Sequence, residues 1–237
     1  MSPALVADVI PFSWVDGPGN RFTIFMQGCN FDCQACHNPQ TIPLTSVHAK
    51  RETVESLMRQ IRKAMPHISG VTVSGGEATL QADFVYSLFL ELRSSPDTRH
   101  LTTFIDTNGS ADTRTWDRLI PVTDGFMVDL KAWPDTLHEE LTGHSNLQVL
   151  AAIRYLSEAE RLYETRLMIA PDINDEPDDL THIGTFLAGI DPNMRVKINH
   201  FHAHGTRSPA SEWSEADDEQ RRAYVELLKA GGVRNIY

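Results

Sequence analysis

The order of apolar and polar positions along the chain predicts alternating strands and helices. Short runs rich in β-branched and aromatic residues alternate with longer segments whose apolar residues recur every three or four positions. In segment 53–64, for example, the apolar residues Val54, Leu57 and Ile61 share one face of a helix. The predicted strands are 21–27, 70–73, 101–105, 125–128, 166–170 and 195–199. The predicted helices are 53–64, 81–92, a short one ending over 116–120, then 144–159, 180–190 and 215–229.

This alternation predicts an α/β fold with a parallel sheet. Short buried strands joined by helices form right-handed crossovers, and the result is either an α/β barrel or an open doubly wound sheet. No linker rich in Pro, Gly or Ser and no internal repeat interrupts the pattern. We therefore predict a single domain over residues 1–237.

Polar residues cluster directly after the predicted strands. Because the carboxyl ends of parallel strands meet at one face, where α/β proteins build their active sites, we expect one site assembled from several strands. The clusters are Cys29, Cys33 and Cys36; Gly75, Gly76 and Glu77; Asp106, Thr107 and Asn108; Asp129 and Lys131; and His200, His202 and His204.

Composition and charge exclude several classes of function. The formal net charge of −11 argues against a nucleic-acid partner, because phosphate binding favours a cationic surface. No apolar run approaches the roughly 20 residues of a membrane span. The first fourteen residues lack the basic start and uninterrupted apolar stretch of a secretion signal. We expect a cytoplasmic protein without a nucleic-acid or membrane partner.

The three cysteines of the chain all lie in CNFDCQAC, at positions 29, 33 and 36. An odd, tightly clustered set of cysteines is typical of metal ligation or redox chemistry and not of a disulfide framework. Three thiolates can hold a four-iron cluster and leave one iron open to a small chelating molecule. A zinc site of three Cys and one His, with His37 or a distant histidine as the fourth ligand, is the alternative.

The spacing C-x3-C-x2-C is the signature of the radical S-adenosylmethionine (radical SAM) superfamily. The flanking stretch VDGPGNRFTIFMQGCNFDCQACHNPQT resembles the glycyl radical enzyme activases, the family of the pyruvate formate-lyase activating enzyme. The resemblance continues in order through VTVSGGEATLQ, DTNG, VDLKAW, LTG and FHAHG, so it spans nearly the whole chain. PFSWVDGPG, HNPQTI, DLKAW and FHAHG look closest to the YjjW-like activases. The resemblance implies a partial (β/α)6 TIM-type barrel.

The resemblance also implies an activity. A [4Fe-4S] cluster on Cys29, Cys33 and Cys36 would bind S-adenosylmethionine and take electrons from a flavodoxin- or ferredoxin-like donor. Reductive cleavage of the cofactor would then remove a Cα hydrogen from one glycine of a partner glycyl radical enzyme. Such an enzyme is an oxidoreductase of anaerobic metabolism, and no side chain is implied to be catalytic beyond the cluster and the cofactor.

The chain departs from the family pattern at two places. The position before the third cysteine is often aromatic in the superfamily, where it can pack on the adenine, and here it is Ala35. Typical YjjW-like activases carry a ferredoxin-like insert with further cysteines after the HNP stretch, whereas here HNPQTIPLTSVHAK leads straight to the first helix. We therefore expect one cluster, reduced directly by an external donor.

The matched motifs imply further site residues. Gly76 and Glu77 would lie against the amino group of the cofactor, and Lys131 would anchor its carboxylate. The full implied cofactor-binding set is Ala35, His37, Asn38, Gly76, Glu77, Asp106, Thr107, Asp129, Lys131 and His202. Within it, Asp106, Thr107 and Asp129 would supply oxygen ligands to a small monovalent cation. Asp16 and Arg166 are implied to hold the substrate peptide.

Each of these motifs also has an ordinary structural explanation. A glycine turn, an Asx turn and a local ion pair between Asp129 and Lys131 would account for three of them. The alternating histidines could bind a transition metal from one face of a strand. Two other functions remain open: a small-molecule radical SAM enzyme similar to the carboxydeazaguanine synthases, and a zinc-stabilised interaction domain.

Overall fold

The computed structural model describes residues 2–237. Its strands are β1 (Ala4–Ser13), β2 (Arg21–Met26), β3 (Lys50–Glu52), β4 (Gly70–Gly75), β5 (Thr102–Thr107), β6 (Gly125–Leu130), β7 (Leu162–Ile169), β8 (Arg195–His200) and β9 (Asn235–Ile236). Its helices are α1 (Val54–Ala64), α2 (Ala82–Ser94), α3 (Thr113–Leu119), α4 (Asp135–Thr142), α5 (Leu147–Glu158), α6 (Pro177–Ile190) and α7 (Asp218–Ala230).

The chain forms two compact units. The first consists of Met1–Asn30, Gln40–Thr107 and Ala111–Met127, and the second of Phe31–Pro39, Asn108–Ser110 and Val128–Tyr237. The boundary falls inside β6 and also between the first cysteine and the other two. The predicted single domain stays a prediction.

The first unit is built on strands in the order β3-β1-β2-β4-β5. β2, β4 and β5 run parallel, with Phe22 opposite Val71 and Val71 opposite Thr103. β1 is antiparallel to both of its neighbours. The parallel part therefore follows the predicted strand–helix alternation, and the antiparallel edge is an addition to it.

Helix α1 shows why these segments fold as predicted. Thr53 accepts a hydrogen bond from the backbone N–H of Ser56 and so caps the start of the helix. Leu57 and Ile61 are fully buried on one face. Burial of each such side chain contributes about 1.5–3 kcal/mol, so packing of this face stabilises α1 more than its capping does.

The second unit contains the parallel strands β7, β8 and β9. Helices α6 and α7 approach closely because Gly184 faces the backbone of α7. A Cβ atom at Gly184 would lie 2.4 Å from the carbonyl oxygen of Leu228. A larger residue at this position would force the two helices apart.

Each predicted strand and helix overlaps an observed one. The sequence pattern did not predict β1, whose Pro11 is unusual in a strand, nor α4 and the short strands β3 and β9. β3 lies between the HNPQTIPLTSVHAK stretch and α1, where a direct connection to the helix was expected. The helix predicted from residue 144 begins at Leu147, because the preceding residues form a turn held by Asp135. The carboxylate of Asp135 accepts from the hydroxyl of Ser145 at 2.7 Å and from the N–H of Asn146 at 2.8 Å.

In the part of the chain from residue 2 onwards, no helix is both long and apolar enough to cross a membrane.

Candidate functional site

Cys29 lies in the first unit, shortly after the end of β2. Its backbone N–H donates to the carbonyl of Ile42 at 3.0 Å, and the N–H of Gly28 donates to the carbonyl of Thr41 at 2.8 Å. These two bonds hold the backbone at Cys29 against the segment that follows the cysteine motif.

Cys33 and Cys36 lie in the second unit, on residues Phe31–Pro39, which we call the cysteine loop. Its backbone is bound to the end of helix α4. The N–H of Asp32 donates to the carbonyl of Thr142 and the N–H of Gln34 to that of Leu141, each at 2.9 Å. Carbonyls in the last turn of a helix lack partners within the helix. The LTG motif therefore supplies acceptors that hold the cysteine loop.

None of the three cysteines forms a disulfide within residues 2–237, and all three are partly buried. Burial raises the pKa of the Cys33 thiol to about 11, against the opposing charge of Lys131. Burial also raises the pKa of Cys36, while the backbone N–H of Asn38 and the charge of Lys131 oppose it. Burial alone therefore favours the neutral thiols, and both would have to lose their protons to bind a metal.

Within residues 2–237, no three His, Cys, Asp or Glu side chains are arranged to hold one metal ion. A cubane cluster places a different demand on its ligands, since each thiolate binds a separate iron atom. Three thiols outside any disulfide, in the C-x3-C-x2-C spacing, fit that demand by their number and chemistry.

Gly76 allows the turn after β4 to approach the segment before Cys29. The N–H of Gly76 donates to the carbonyl of Met26 at 2.9 Å, and the N–H of Glu77 to that of Gly28 at 2.8 Å. A Cβ atom at Gly76 would lie 2.2 Å from the carbonyl oxygen of Gly28. No other residue type fits this turn without displacing it.

The Glu77 carboxylate is 1% exposed and is bound within the first unit. Its Oε1 accepts from the N–H and the hydroxyl of Thr79, at 2.9 and 2.6 Å, and from the hydroxyl of Thr107 at 2.7 Å. The neighbouring Asp106 accepts from the hydroxyl of Ser74 at 2.8 Å. The structure thus joins Glu77 to Thr107, which the sequence analysis placed in one site.

Asp129 and Lys131 form an ion pair in the second unit. Lys131 Nζ lies 2.6 Å from Asp129 Oδ2, and the side chains are only 20% and 25% exposed for Lys131 and Asp129. Asn174, which the sequence analysis did not identify, donates its amide to the carbonyls of Lys131 and Met168, each at 2.7 Å. The end of β6 is therefore fixed to the end of β7.

The three histidines do not share a strand face. β8 ends at His200, so His202 and His204 lie in the loop beyond it, and the alternation argument for a metal site was wrong. His202 instead lies 3.0 Å from Glu215 through its Nδ1. His37 Nε2 lies 2.8 Å from the backbone carbonyl of His202, which brings these two predicted residues together.

The other predicted residues have defined partners. Ala35 packs against an apolar cluster that includes Phe201. The carboxylate of Asp16 accepts from the hydroxyls of Ser13 at 2.6 Å and of Thr23 at 3.1 Å. Arg166 is buried beside Glu164, with Nε 2.7 Å from the carboxylate. The two residues implied for peptide binding therefore already engage neighbours in their own units.

The sequence profile of the radical SAM superfamily matches residues 23–182 of the chain. The chain is 34% identical over 210 residues to the pyruvate formate-lyase-activating enzyme of Streptococcus mutans, covering 85% of this chain and 78% of that protein. It is 35% identical over 228 residues to a Haemophilus influenzae protein named as a candidate glycyl-radical enzyme activating enzyme, covering 85% and 83%.

Solved structures agree on the fold. The crystal structure of a radical SAM methyltransferase from Sphaerobacter thermophilus aligns with 97% of this chain and 67% of that one, with a TM-score of 0.69 and 17% sequence identity. At that identity the likeness concerns the fold alone, and with the parallel strands described above it supports a partial TIM-type core. The profile match and the identity to the two relatives go further: the chain belongs to the radical SAM superfamily and, within it, to the family of glycyl-radical-enzyme activating enzymes.

Proposed function

We propose that this chain installs a radical on one glycine of a partner glycyl radical enzyme. The observation that carries the proposal is the cysteine motif: three thiols in the C-x3-C-x2-C spacing, in a chain that is 34% and 35% identical to two named activating enzymes. Membership of the superfamily implies a [4Fe-4S] cluster and S-adenosylmethionine. Cys29, Cys33 and Cys36 are proposed to hold three irons of that cluster.

A bound cluster and a bound S-adenosylmethionine would supply the one-electron radical chemistry that removes a Cα hydrogen from the target glycine, with the electron drawn from an external reductant. The residues of this chain bind and orient the two groups and exclude water. Their roles are therefore tested by binding and spectroscopy as well as by turnover.

Lys131 is proposed to anchor the carboxylate of S-adenosylmethionine. Its ammonium group is partly buried and already held by Asp129 at 2.6 Å. Asn174 fixes the backbone of Lys131 from the other side. A lysine that is restrained in this way loses little side-chain freedom when it binds a carboxylate.

Gly76 and Glu77 are proposed to approach the amino group of the same cofactor. Glu77 Oε1 is fully used by Thr79 and Thr107. A cationic amino group is therefore proposed to bind through backbone carbonyls of the turn. His37, Asn38, Ala35 and His202 complete the proposed cofactor contacts.

Four further assignments belong to the proposal. Asp106, Thr107 and Asp129 supply oxygen ligands suited to a hard monovalent cation. Asp16 and Arg166 contact the substrate peptide. The electron donor is a flavodoxin- or ferredoxin-like protein, and the enzyme works in the cytoplasm under anaerobic conditions.

Isotope transfer tests the proposal. The anaerobically reconstituted protein, S-adenosylmethionine and dithionite are mixed with pyruvate formate-lyase labelled with [α-²H₂]glycine, and then with other glycyl radical enzymes labelled in the same way. We expect deuterium in the 5′-deoxyadenosine product. The EPR spectrum should show a glycyl radical that is a doublet in the unlabelled partner, through its remaining α-hydrogen, and a single unresolved line in the deuterated one.

The same glycyl radical enzyme without the label is the matched control, and it gives the background deuterium content of the 5′-deoxyadenosine. Cofactor cleavage that never takes deuterium from any glycyl radical enzyme, together with turnover of a carboxydeazaguanine synthase substrate, would contradict the proposal and favour a small-molecule enzyme.

A further inference from the structure

Residues 201–213 follow β8 and contact the cysteine loop; we call them the brace loop. Two of its contacts are already described: the carbonyl of His202 with His37, and Phe201 with Ala35. Its third contact involves Arg207, which no sequence motif had singled out.

Arg207 binds the cysteine loop at three acceptors. Its Nη2 donates to the backbone carbonyl of Asp32 at 3.0 Å and, at a longer 3.4 Å, to the carbonyl of Cys33. The same nitrogen donates to the carboxylate of Asp32. The guanidinium is 41% exposed, so these contacts lie at the surface of the second unit.

This arrangement holds the loop from two directions. Helix α4 accepts from the N–H groups of Asp32 and Gln34, and Arg207 donates to the carbonyls of Asp32 and Cys33. Both hydrogen-bonding groups of the Asp32 backbone are therefore engaged by other parts of the fold. The peptide unit before Cys33 has little freedom to rotate.

The residue type matters for this contact. All three contacts come from Nη2, which arginine holds in a rigid planar guanidinium, whereas the ammonium group of lysine lies at the end of a flexible stem. Lysine at position 207 would keep the positive charge and one contact to Asp32. It would not reproduce the set of carbonyl and carboxylate contacts.

Arg207 also brings a positive charge close to the cysteines. Its Nη2 lies 3.4 Å from the carbonyl oxygen of Cys33. A positive charge near an iron–sulfur cluster stabilises the reduced form, which carries one more negative charge.

We propose that Arg207 is a positioning residue for the iron–sulfur cluster: it fixes the backbone that presents Cys33 and Cys36 and stabilises the reduced cluster by its charge. The inference rests on the proposed function, because it assumes that these cysteines hold a cluster. It adds a residue from the far end of the chain to the support of the cysteine motif.

The test uses the full chain, reconstituted anaerobically with iron and sulfide. The variants are Arg207→Ala, Arg207→Lys and Asp32→Asn, with Arg222→Ala, another exposed arginine, as the matched control. Three quantities are measured: iron per chain, the rate of iron release to a ferrous chelator, and the midpoint potential of the cluster followed by EPR.

We expect Arg207→Ala to release iron on the order of tenfold faster than the wild type, as for other residues that orient metal ligands. Its midpoint potential should be more negative. Arg207→Lys should restore the potential, because the charge is kept, while iron release stays faster than in the wild type. Asp32→Asn should give an intermediate release rate, and Arg222→Ala should match the wild type.

Wild-type release rates and potentials in Arg207→Ala would overturn the inference while the proposed function stands. If Arg207→Ala fails to fold, Arg207→Lys and Asp32→Asn decide, and wild-type behaviour in both would overturn it. A wild-type protein that takes up no cluster would overturn the proposed function and this inference with it.

Discussion

Thr107 donates its hydroxyl to Oε1 of Glu77 at 2.7 Å, which joins the end of β5 to the turn after β4. The same oxygen accepts two bonds from Thr79, at 2.9 and 2.6 Å. Glu77 therefore stabilises the first unit whether or not a cofactor is bound. Its substitution should lower the stability of the fold, and this effect can be measured apart from any effect on cofactor binding.

Replacing Glu77 by Ala leaves three buried donors without their acceptor. Hydrogen bonds to a buried charged group contribute about 1.5–3 kcal/mol, so we expect a loss of about 3 kcal/mol in the free energy of unfolding, measured by urea denaturation. Exposed Glu139→Ala is the control. Equal stability of Glu77→Ala and the control would show that the three bonds do not support the fold.

Replacing Lys131 by Met removes the ammonium group while keeping most of the side-chain volume. If Lys131 anchors the cofactor carboxylate, the Kd for S-adenosylmethionine should rise by roughly tenfold or more, as for the loss of a charge-assisted hydrogen bond. Iron content should stay unchanged. Lys63→Met, at an exposed position on α1, is the control. Unchanged affinity would remove Lys131 from the site.

His138 makes the stability of the second unit depend on pH. It is fully buried, and its Nδ1 lies 2.7 Å from the carbonyl of His144, so Nδ1 carries the proton of the neutral ring. Nε2 is buried without a hydrogen-bond partner among residues 2–237. Burial lowers the pKa of His138 from its ordinary value of 6.5, with smaller lowering by the charges of Lys131 and His144, against raising effects of the His144 carbonyl and Asp135.

The unfolded chain therefore takes up this proton near pH 6.5 while the folded chain does not. Stability is complete above that pH and falls as the pH is lowered below it. We expect the Tm to drop between pH 7.5 and 5.5, and to drop less in His138→Asn, whose amide can donate to the same carbonyl. Exposed His67→Asn should behave like the wild type; an equal drop in His138→Asn would contradict the assignment.

The sequence predicted the parallel α/β pattern well because periodicity of apolar residues reports burial directly. The face formed by Leu57 and Ile61 is an example, since both are fully buried on α1. β1 escaped prediction because only its first half is buried: Ala4 and Val6 lie in the core, whereas Ile10 and Phe12 stay exposed, so the apolar alternation does not continue along the strand. Helix α4 was missed because its eight residues include only two apolar side chains, Leu137 and Leu141.

The candidate site also contains features that the sequence predicted and features that it did not. Motif spacing placed Asp129 and Lys131 on one side of a strand end, and the ion pair at 2.6 Å confirms it. The residues that hold the site residues in place come from distant segments of the chain, and no motif near them in the sequence marks them. Asn174 donates to the backbone carbonyl of Lys131, and Arg207 donates to that of Asp32. Every residue type has a backbone carbonyl, so the sequence does not show which carbonyl accepts such a bond.

The central claim is that the three cysteines hold a cluster that cleaves S-adenosylmethionine. The most direct measurement is the amount of 5′-deoxyadenosine formed under anaerobic conditions, with dithionite, by the wild type and by Cys29→Ala, Cys33→Ala and Cys36→Ala. We predict formation by the wild type and none by any of the three variants, each of which should remain folded. Cleavage at the wild-type rate in all three variants would contradict the account.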